Sequence, residues 1–209
     1  MKTDKRGPER EDAHAPLKGV ANFLFEVGML KNTPRSGFQF LGSGEESVAE
    51  HSFRATVIGY TLARLSGGAD PFKVVSLCLF HDLPEARTGD MNYVNKRYVQ
   101  VDENAAIDDL AETIPFGADF RSLMGEYRRG DTAEAQLAHD ADQLDLILEL
   151  KTQSDLGNPY AVKWIHFALK RLQTAVGKEL AEEILEADST DWWFAGHDHW
   201  WTKSKHHKE

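Results

Sequence analysis

One imidazole and three carboxylates lie within ten consecutive residues near the middle of the chain. The segment HDLPEARTGD places His81 beside Asp82, and Glu85 and Asp90 follow. It comes directly after the apolar run VVSLCLF, a pattern typical of a buried helix that ends at a polar site. Imidazole nitrogen and carboxylate oxygen are ligands that divalent metals take. The segment alone also fits a helix that ends in a charged loop, so the rest of the chain must decide.

Two other predicted helices carry residues of the same chemistry. The capping-box sequence SVAE, which begins at Ser47, starts a helix that places His51 on its apolar face. A histidine there is either a hydrogen-bonded core residue or a ligand. A long predicted helix further along carries Asp140 and Asp142, and helical spacing leaves open which of the two points inward. Ligands from separate helices of a bundle are a recurrent arrangement for a metal site.

Apolar residues recur with helical spacing over most of the chain. No run of alternating β-branched residues is long enough for a sheet. One segment begins with an N-cap aspartate and a proline at Asp70-Pro71 and is apolar almost all round, which predicts a central helix. We therefore predict an all-α fold, a single-domain helical bundle. Its helices are expected near 17–27, 47–66, 70–82, 102–114, 118–129, 132–156, 159–175 and 177–187.

The composition is ordinary for a soluble globular protein and argues against several other classes. Hydrophobic residues make up 41% and charged residues 28% of the 209 residues. The formal net charge of −10 argues against nucleic acid as the main partner, since no basic excess exists to neutralise phosphates. No apolar stretch approaches a membrane span, and the charged N-terminus lacks the apolar core of a secretory signal. Cys78 is the only cysteine, which fits a reducing compartment, so we expect a cytoplasmic protein.

Three segments are expected along the chain. Residues 1–15 are charged and predict a disordered arm. Residues 16–188 are expected to form the helical domain. Residues 189–209 are a tail rich in Trp and His without periodicity, for which we expect local packing or disorder.

The series His51, His81-Asp82 and Asp142 resembles the HD-domain metal-dependent phosphohydrolases, and most closely their 5′-deoxynucleotidase branch. The similarity extends over about residues 17–187. The segments that carry it are LKNTPRSGF (30–38), ESVAEHS (46–52), HDLPEARTGD (81–90) and ADQL (141–144). The resemblance implies an HD-type helical domain that removes the 5′-phosphate of deoxyribonucleoside monophosphates. The alternatives are an HD-type phosphodiesterase or nucleotide triphosphohydrolase, or a non-catalytic nucleotide-binding helical module.

The resemblance also implies roles for particular residues. The matching metal ligands are His51, His81, Asp82 and Asp142, so that Asp142 is favoured over Asp140. They imply one divalent ion, and this ligand set suits Mn, Co, Fe, Ni, Zn or Mg. The matching catalytic carboxylates are Glu85 and Asp90, and the matching substrate-binding residues are Arg35 and Phe38. Phe38 stands where relatives with this loop often have Trp.

These residue types suit the hydrolysis of a phosphate monoester. A metal ion can lower the pKa of its bound water and draw charge from a phosphate oxygen. Glu85 could orient the water or protonate the leaving oxygen, and Asp90 could hold a sugar hydroxyl or assist Glu85. Arg35 could pair with two phosphate oxygens at once. A molecule that only binds nucleotides has no need of this set, which favours the enzyme.

A homodimer is also expected. The resemblance implies one, and the aromatic residues Trp192, Trp193 and Phe194 near the C-terminus need a surface on which to be buried. The alternative is that these side chains fold back onto their own domain.

Overall fold

The computed structural model describes residues 15–202, and within this range the secondary structure is helical apart from one isolated bridge between Pro34 and Ser47. The predicted all-α fold is confirmed. No helix in this range is long and apolar enough to cross a bilayer. The α-helices are Ala15–Val27 (α1), Phe38–Leu41 (α2), Val48–Ser66 (α3), Pro71–Phe80 (α4), Glu85–Thr88 (α5), Glu103–Glu112 (α6), Gly117–Arg129 (α7), Ala133–Asp155 (α8), Ala161–Leu169 (α9), Ala175–Glu186 (α10), Asp191–Phe194 (α11) and Asp198–Thr202 (α12).

Helices α3, α4 and α8 pack against one another at the centre of the protein. Their buried side chains form one cluster, which includes Leu62, Leu77 and Leu144. Gly59 lies at the contact between α3 and α4, where an added Cβ would come 2.6 Å from Cys78 Sγ. The small residue therefore allows the two helices to approach closely. These three helices bring His51, the His81-Asp82 pair and Asp142 toward a common region.

Capping interactions fix where α3 and α4 begin. The Ser47 hydroxyl accepts a hydrogen bond from the Glu50 amide at 3.2 Å, and the Glu50 carboxylate accepts one from the Ser47 amide at 2.7 Å. The predicted capping box is thus confirmed. Asp70 caps α4 by accepting from the Phe72 amide at 2.9 Å. Because α3 begins at a fixed residue, His51 lies in its first turn and is completely buried.

Helix α4 differs from the prediction in where it ends. It ends at Phe80 rather than Asp82, because Pro84 has no amide hydrogen and disfavours helical geometry in the residue before it. Helix α4 lies at the centre of the bundle, but its apolar residues are not covered on every side. Its inner face is buried, but Phe72 is 77% exposed and Leu79 is 47% exposed on its outer face.

The predicted helix over 159–175 is shorter than expected, because a turn follows α9. Asp140 of α8 holds this turn in place. Its carboxylate accepts hydrogen bonds from the amides of Gln173 at 2.7 Å and Thr174 at 2.8 Å, and from the Thr174 hydroxyl at 2.5 Å. Thr174 in turn caps α10 by accepting from the Gly177 amide at 3.0 Å. Asp140 is therefore a buried anchor for the start of α10.

The segment predicted as a tail begins with two short helices, α11 and α12, where no periodicity was expected. Within it, the ring of His197 stacks on Trp200 at a centroid distance of 4.0 Å. Residues 1–14 and 203–209 are outside the described residues, and with them almost all of the predicted arm and the end of the tail. The boundaries predicted for the three segments remain predictions.

We predict that Asp140→Ala destabilises the protein, because three donors lose a buried, charged acceptor. The free energy of unfolding should fall by about 3 kcal/mol, as measured by urea denaturation. Asp70→Ala is the matched control, since it removes an exposed cap and should cost about 1 kcal/mol. Equal losses in the two variants would contradict the anchoring role of Asp140.

Candidate active site

Two imidazoles and two carboxylates converge where α3, the end of α4 and α8 meet. The Nε2 atom of His51 lies 3.3 Å from Nε2 of His81 and 3.3 Å from Oδ1 of Asp142. The Oδ2 atom of Asp82 lies 3.4 Å from the first nitrogen and 3.2 Å from the second. The structure therefore brings together the four residues for which the sequence predicted a metal-binding role.

The second nitrogen of each imidazole fixes which atom faces this centre. His51 Nδ1 lies 2.6 Å from Oδ2 of Asp145, and His81 Nδ1 lies 2.7 Å from the carbonyl oxygen of Cys78. Both partners are acceptors, so each neutral ring carries its hydrogen on Nδ1 and presents the lone pair of Nε2. Two lone pairs and two carboxylates then face one another. This set of donors fits a divalent cation, because only positive charge relieves their mutual repulsion.

The close approach of these imidazoles and carboxylates also shifts the pKa values of His51, Asp82 and Asp142. Burial alone would lower the pKa of His51, but hydrogen bonds with Asp142, Asp145 and Asp82 raise it well above its ordinary value. Burial would raise the pKa of Asp82 and of Asp142, but the two histidines hold both pKa values below the ordinary range. The centre therefore attracts a cation, whether a proton or a metal ion.

A buried ion-pair network supports His51 from the opposite side. Asp145 is completely buried and accepts a hydrogen bond from Nε of Arg54 at 2.5 Å. The same guanidinium contacts Glu46 at 3.0 Å and Glu149 at 3.1 Å. Glu46, His51 and Asp145 also lie close enough together to suggest a second metal site. Arg54 already supplies their positive charge, so we interpret this cluster as support for the first site.

The sequence prediction missed Asp145 and Arg54. Each stands three residues after a predicted ligand, Asp142 and His51, and residues three apart share a helix face. A charged residue at this spacing within an apolar stretch was the signal that could have identified both.

Arg35 and Glu85 lie beside the four converging residues. Nη1 of Arg35 lies 3.1 Å from Oδ2 of Asp82, and Nη2 lies 3.8 Å from Oδ1 of Asp142. Glu85 is at the start of α5, after the turn that follows α4. Burial, together with the charges of Asp82 and Asp90, raises the pKa of Glu85 to about 9. Its Oε2 atom is buried and has no hydrogen-bond partner among the described residues.

These residues form one end of a cavity of about 600 Å³. This volume lies in the range of small-molecule sites, about 300 to 1,000 Å³. The polar end contains Arg35, Asp82, Glu85, Asp90 and Asp142. The remaining wall is largely aromatic and apolar and includes Phe38, Phe40, Met91, Tyr93, Val94, Leu146, Trp164 and Phe167. The sequence prediction did not include the residues of α9, because an apolar residue on an amphipathic helix carries no local mark of a binding site.

Asp90, His139 and Asp140 also have definite positions. Asp90 lines the cavity, and its carboxylate accepts a hydrogen bond from the Ser36 amide at 2.6 Å. His139 lies away from the cavity and contacts the carbonyl oxygen of Tyr127 through Nε2 at 2.7 Å. Asp140 serves the start of α10, so of the two candidate aspartates, Asp140 and Asp142, only Asp142 reaches the converging centre.

Sequence comparison identifies the family to which this helical bundle belongs. The profile of the HD domain matches residues 27–185. The chain therefore belongs to the HD-domain family, and the predicted membership is confirmed.

Particular relatives are similar over most of their length. The chain is 28% identical over 185 residues to 5′-deoxynucleotidase HDDC2 of Xenopus laevis, covering 81% of this chain and 91% of that protein. A conserved hypothetical protein from Pyrococcus furiosus is 29% identical with a TM-score of 0.69, covering 78% of this chain and 98% of that one. The cyanophage S-2L HD phosphohydrolase DatZ, solved with dA and one catalytic Zn²⁺, has a TM-score of 0.50 and covers 78% of this chain and 93% of its own. At 17% identity, this last likeness shows the fold alone.

Proposed function

We propose that the chain is a metal-dependent phosphohydrolase that removes the 5′-phosphate of deoxyribonucleoside monophosphates. The observation that carries the proposal is the convergence of two imidazole Nε2 atoms with two carboxylates, of which the carboxylates of Asp82 and Asp142 line a cavity of about 600 Å³. The name of the Xenopus laevis relative supports the substrate class. The cyanophage protein, which shares only the fold, was solved with the deoxynucleoside dA and a catalytic Zn²⁺.

In this proposal one divalent ion is held by His51, His81, Asp82 and Asp142. When bound, such an ion lowers the pKa of its water and draws charge from a phosphate oxygen. The ligand set of two nitrogens and two oxygens suits Mn, Co, Fe, Ni, Zn or Mg, so the identity of the ion stays open.

Arg35 binds the phosphate group in this proposal. Its guanidinium already lies at the edge of the metal-binding residues, 3.1 Å from Asp82. Arginine can donate two parallel hydrogen bonds to a phosphate, which fixes its orientation as well as its charge. The substrate phosphate is thereby placed between Arg35 and the four converging residues.

Glu85 acts as the general acid, and Asp90 holds a sugar hydroxyl. Burial raises the pKa of Glu85 above that of an ordinary carboxyl group, which favours the protonated form. It can therefore donate a proton to the leaving 5′-oxygen of the nucleoside. Asp90 lines the same cavity, and Ser36 occupies only its Oδ2 atom, so Oδ1 is left for the sugar.

The aromatic wall of the cavity receives the nucleoside. With the phosphate at the polar end, the base extends toward Trp164 and Phe167 of α9, and Phe38 lies beside the sugar. Flat aromatic side chains offer stacking area to a base, whichever base it is. Phe38 is thus proposed to contact the nucleoside part of the substrate.

A metal analysis tests the ligand assignment. His81→Ala and Asp142→Ala should lose the bound metal, because each removes one of four ligands, whereas Asp140→Asn should keep it. The measurement is the number of metal ions per folded protein molecule after dialysis, determined by inductively coupled plasma mass spectrometry. Loss of metal from the Asp140 variant, with retention in the Asp142 variant, would reverse the assignment.

A phosphate-release assay tests the activity. The wild type should release phosphate from dAMP, dGMP, dTMP and dCMP with at least one divalent metal. Glu85→Gln should bind metal normally and turn over about 10²- to 10⁴-fold more slowly, as expected for loss of a general acid. Glu112→Gln, an exposed acid on α6, is the matched control and should be unchanged. If the wild type hydrolyses no monophosphate with any metal, the proposed function is wrong.

We infer a reducing, cytoplasmic location, which is consistent with the buried free Cys78.

We further infer a homodimer that forms through the outer faces of α3 and α4. Phe53 is 72% exposed on α3, and Phe72 is 77% exposed on the neighbouring α4. Val57 and Tyr60 extend the α3 stripe at helical spacing. A second copy is the partner that the family resemblance favours, and it would remove this apolar face from water. Of the three aromatic residues named in the dimer prediction, Trp192 and Phe194 are exposed and Trp193 is half-buried.

Light scattering tests the dimer. At micromolar concentration the wild type should have twice the 23.5 kDa mass of the chain. Phe53→Glu should give the monomer mass, because it places a charge at the centre of the proposed contact. Trp192→Glu is the matched control on the other exposed aromatic surface and should remain dimeric. A monomeric wild type would refute the dimer, and dissociation by the Trp192 variant instead would move the interface to the tail.

A further inference from the structure

The hydroxyl group of Ser36 joins two loops that line the cavity. Ser36 follows Arg35 directly and is only 7% exposed. Its Oγ donates a hydrogen bond to Oδ2 of Asp90 at 3.2 Å, and its amide donates to the same oxygen at 2.6 Å. The same Oγ accepts from the amide of Asn92 at 3.0 Å and from its Nδ2 at 3.1 Å. A hydroxyl has one donor and two acceptor positions, so all three are used.

Asn92 extends this connection into the second loop. Its side-chain oxygen accepts hydrogen bonds from the amides of Val94 and Asn95, both at 3.0 Å. The residue is 8% exposed, and its Nδ2 also donates to the side chain of Asn95. The turn that begins the short 3₁₀ segment Asn95–Arg97 is thereby fixed relative to Ser36.

Backbone hydrogen bonds also hold Arg35 itself and the residues that precede it. The Arg35 amide donates to the carbonyl oxygen of Glu46 at 2.8 Å, and the Val48 amide donates to that of Thr33 at 2.9 Å. Arg35 therefore lies between two attachments, one to the start of α3 and one through Ser36 to Asp90 and Asn92. Its guanidinium extends from this held backbone to Asp82 and Asp142.

We propose that the Ser36 hydroxyl is a positioning group that, through its hydrogen bonds to Asp90 and Asn92, holds the backbone of Arg35 in place for binding the substrate phosphate. This inference rests on the proposed function. Arginine has many rotamers, so an arginine on a loose loop loses much conformational entropy when it binds. Attachment of its backbone on both sides removes part of that loss in advance. A displacement of about 1 Å in a group that orients a substrate can reduce the rate about 10²-fold.

A purely structural role for Ser36 predicts a different outcome, and Ser43 provides the comparison. Ser43 lies in the same loop region, and its hydroxyl also bridges two partners, donating to Gln153 at 2.7 Å and accepting from Asn158 at 2.7 Å. Within the part of the chain that the structure describes, the Ser43 hydroxyl makes no hydrogen bond to Asp90 or Arg35 and instead joins the loop to α8 and to the turn after it. Loss of either hydroxyl should reduce stability, whereas only loss of the Ser36 hydroxyl should reduce substrate affinity.

The test measures affinity without turnover. The ligand is the phosphonate analogue of dAMP, which cannot be hydrolysed, titrated calorimetrically into the metal-loaded protein. Ser36→Ala should weaken binding about 10- to 100-fold. Ser36→Thr, which keeps the hydroxyl, and Ser43→Ala should both bind as the wild type does. In an Arg35→Ala background, Ser36→Ala should have little further effect, because the two residues act through one contact.

Several results would overturn the inference. Equal affinities in Ser36→Ala and Ser43→Ala, or additive losses from Ser36→Ala and Arg35→Ala, would show that Ser36 is structural only. If Ser36→Ala does not fold, Asn92→Ala removes one of the same bonds and should weaken binding in the same way; normal binding there would refute the role. A wild type that neither binds the analogue nor hydrolyses a monophosphate would refute the proposed function as well, so the two failures are distinguishable.

Discussion

Four electron-rich atoms meet in a small volume, and the rest of the site follows from the need to balance their charge. The Nε2 atoms of His51 and His81 and one oxygen each of Asp82 and Asp142 approach to between 3.2 and 3.4 Å. Such an arrangement is stable only with positive charge close by. Behind these residues, Arg54 balances Asp145, so the negative charge next to His51 has its own partner. The fold therefore keeps the ion pair of Asp145 and Arg54, which supports His51, apart from the carboxylates of Asp82 and Asp142, which face the cavity.

The helices can hold this arrangement because their starting points and separations are fixed by a few local features. The capping box at Ser47 places His51 in the first turn of α3. Gly59 allows α4 to approach, and Pro84 ends the helical course so that Asp82 and Glu85 can both face the cavity. Asp140 anchors α10 two residues before Asp142 turns toward the centre. Neighbouring aspartates on one helix thus serve opposite sides of it.

The sequence was sufficient for the helices, the capping residues and the family, because each of these depends on patterns within a few residues. It could not separate Asp140 from Asp142 by spacing alone, because both lie beside apolar faces and only the packing of α10 distinguishes them. The end of α9 was predicted too late in the sequence, and the apolar outer face of α4 is left uncovered at Phe72. Periodicity shows which face of a helix is apolar, but not whether another helix is present to cover it. Ser36 and Asn92 carry no local signal, since their importance arises from contacts across more than fifty residues.

Arg35 and a cation at the four ligands would compete for the same atoms. Oδ2 of Asp82 and Oδ1 of Asp142 are the oxygens nearest both to the guanidinium and to the histidines. Arg35 is thus an internal counter-ion of Asp82 and Asp142. A divalent cation would partly displace its guanidinium from these carboxylates, and the guanidinium could then bind an anionic ligand. By thermodynamic reciprocity, a phosphate that draws Arg35 away strengthens the hold of the carboxylates on the cation to the same degree. Affinities for the two ligands are then properties of the pair, and neither has a single value unless the concentration of the other is stated.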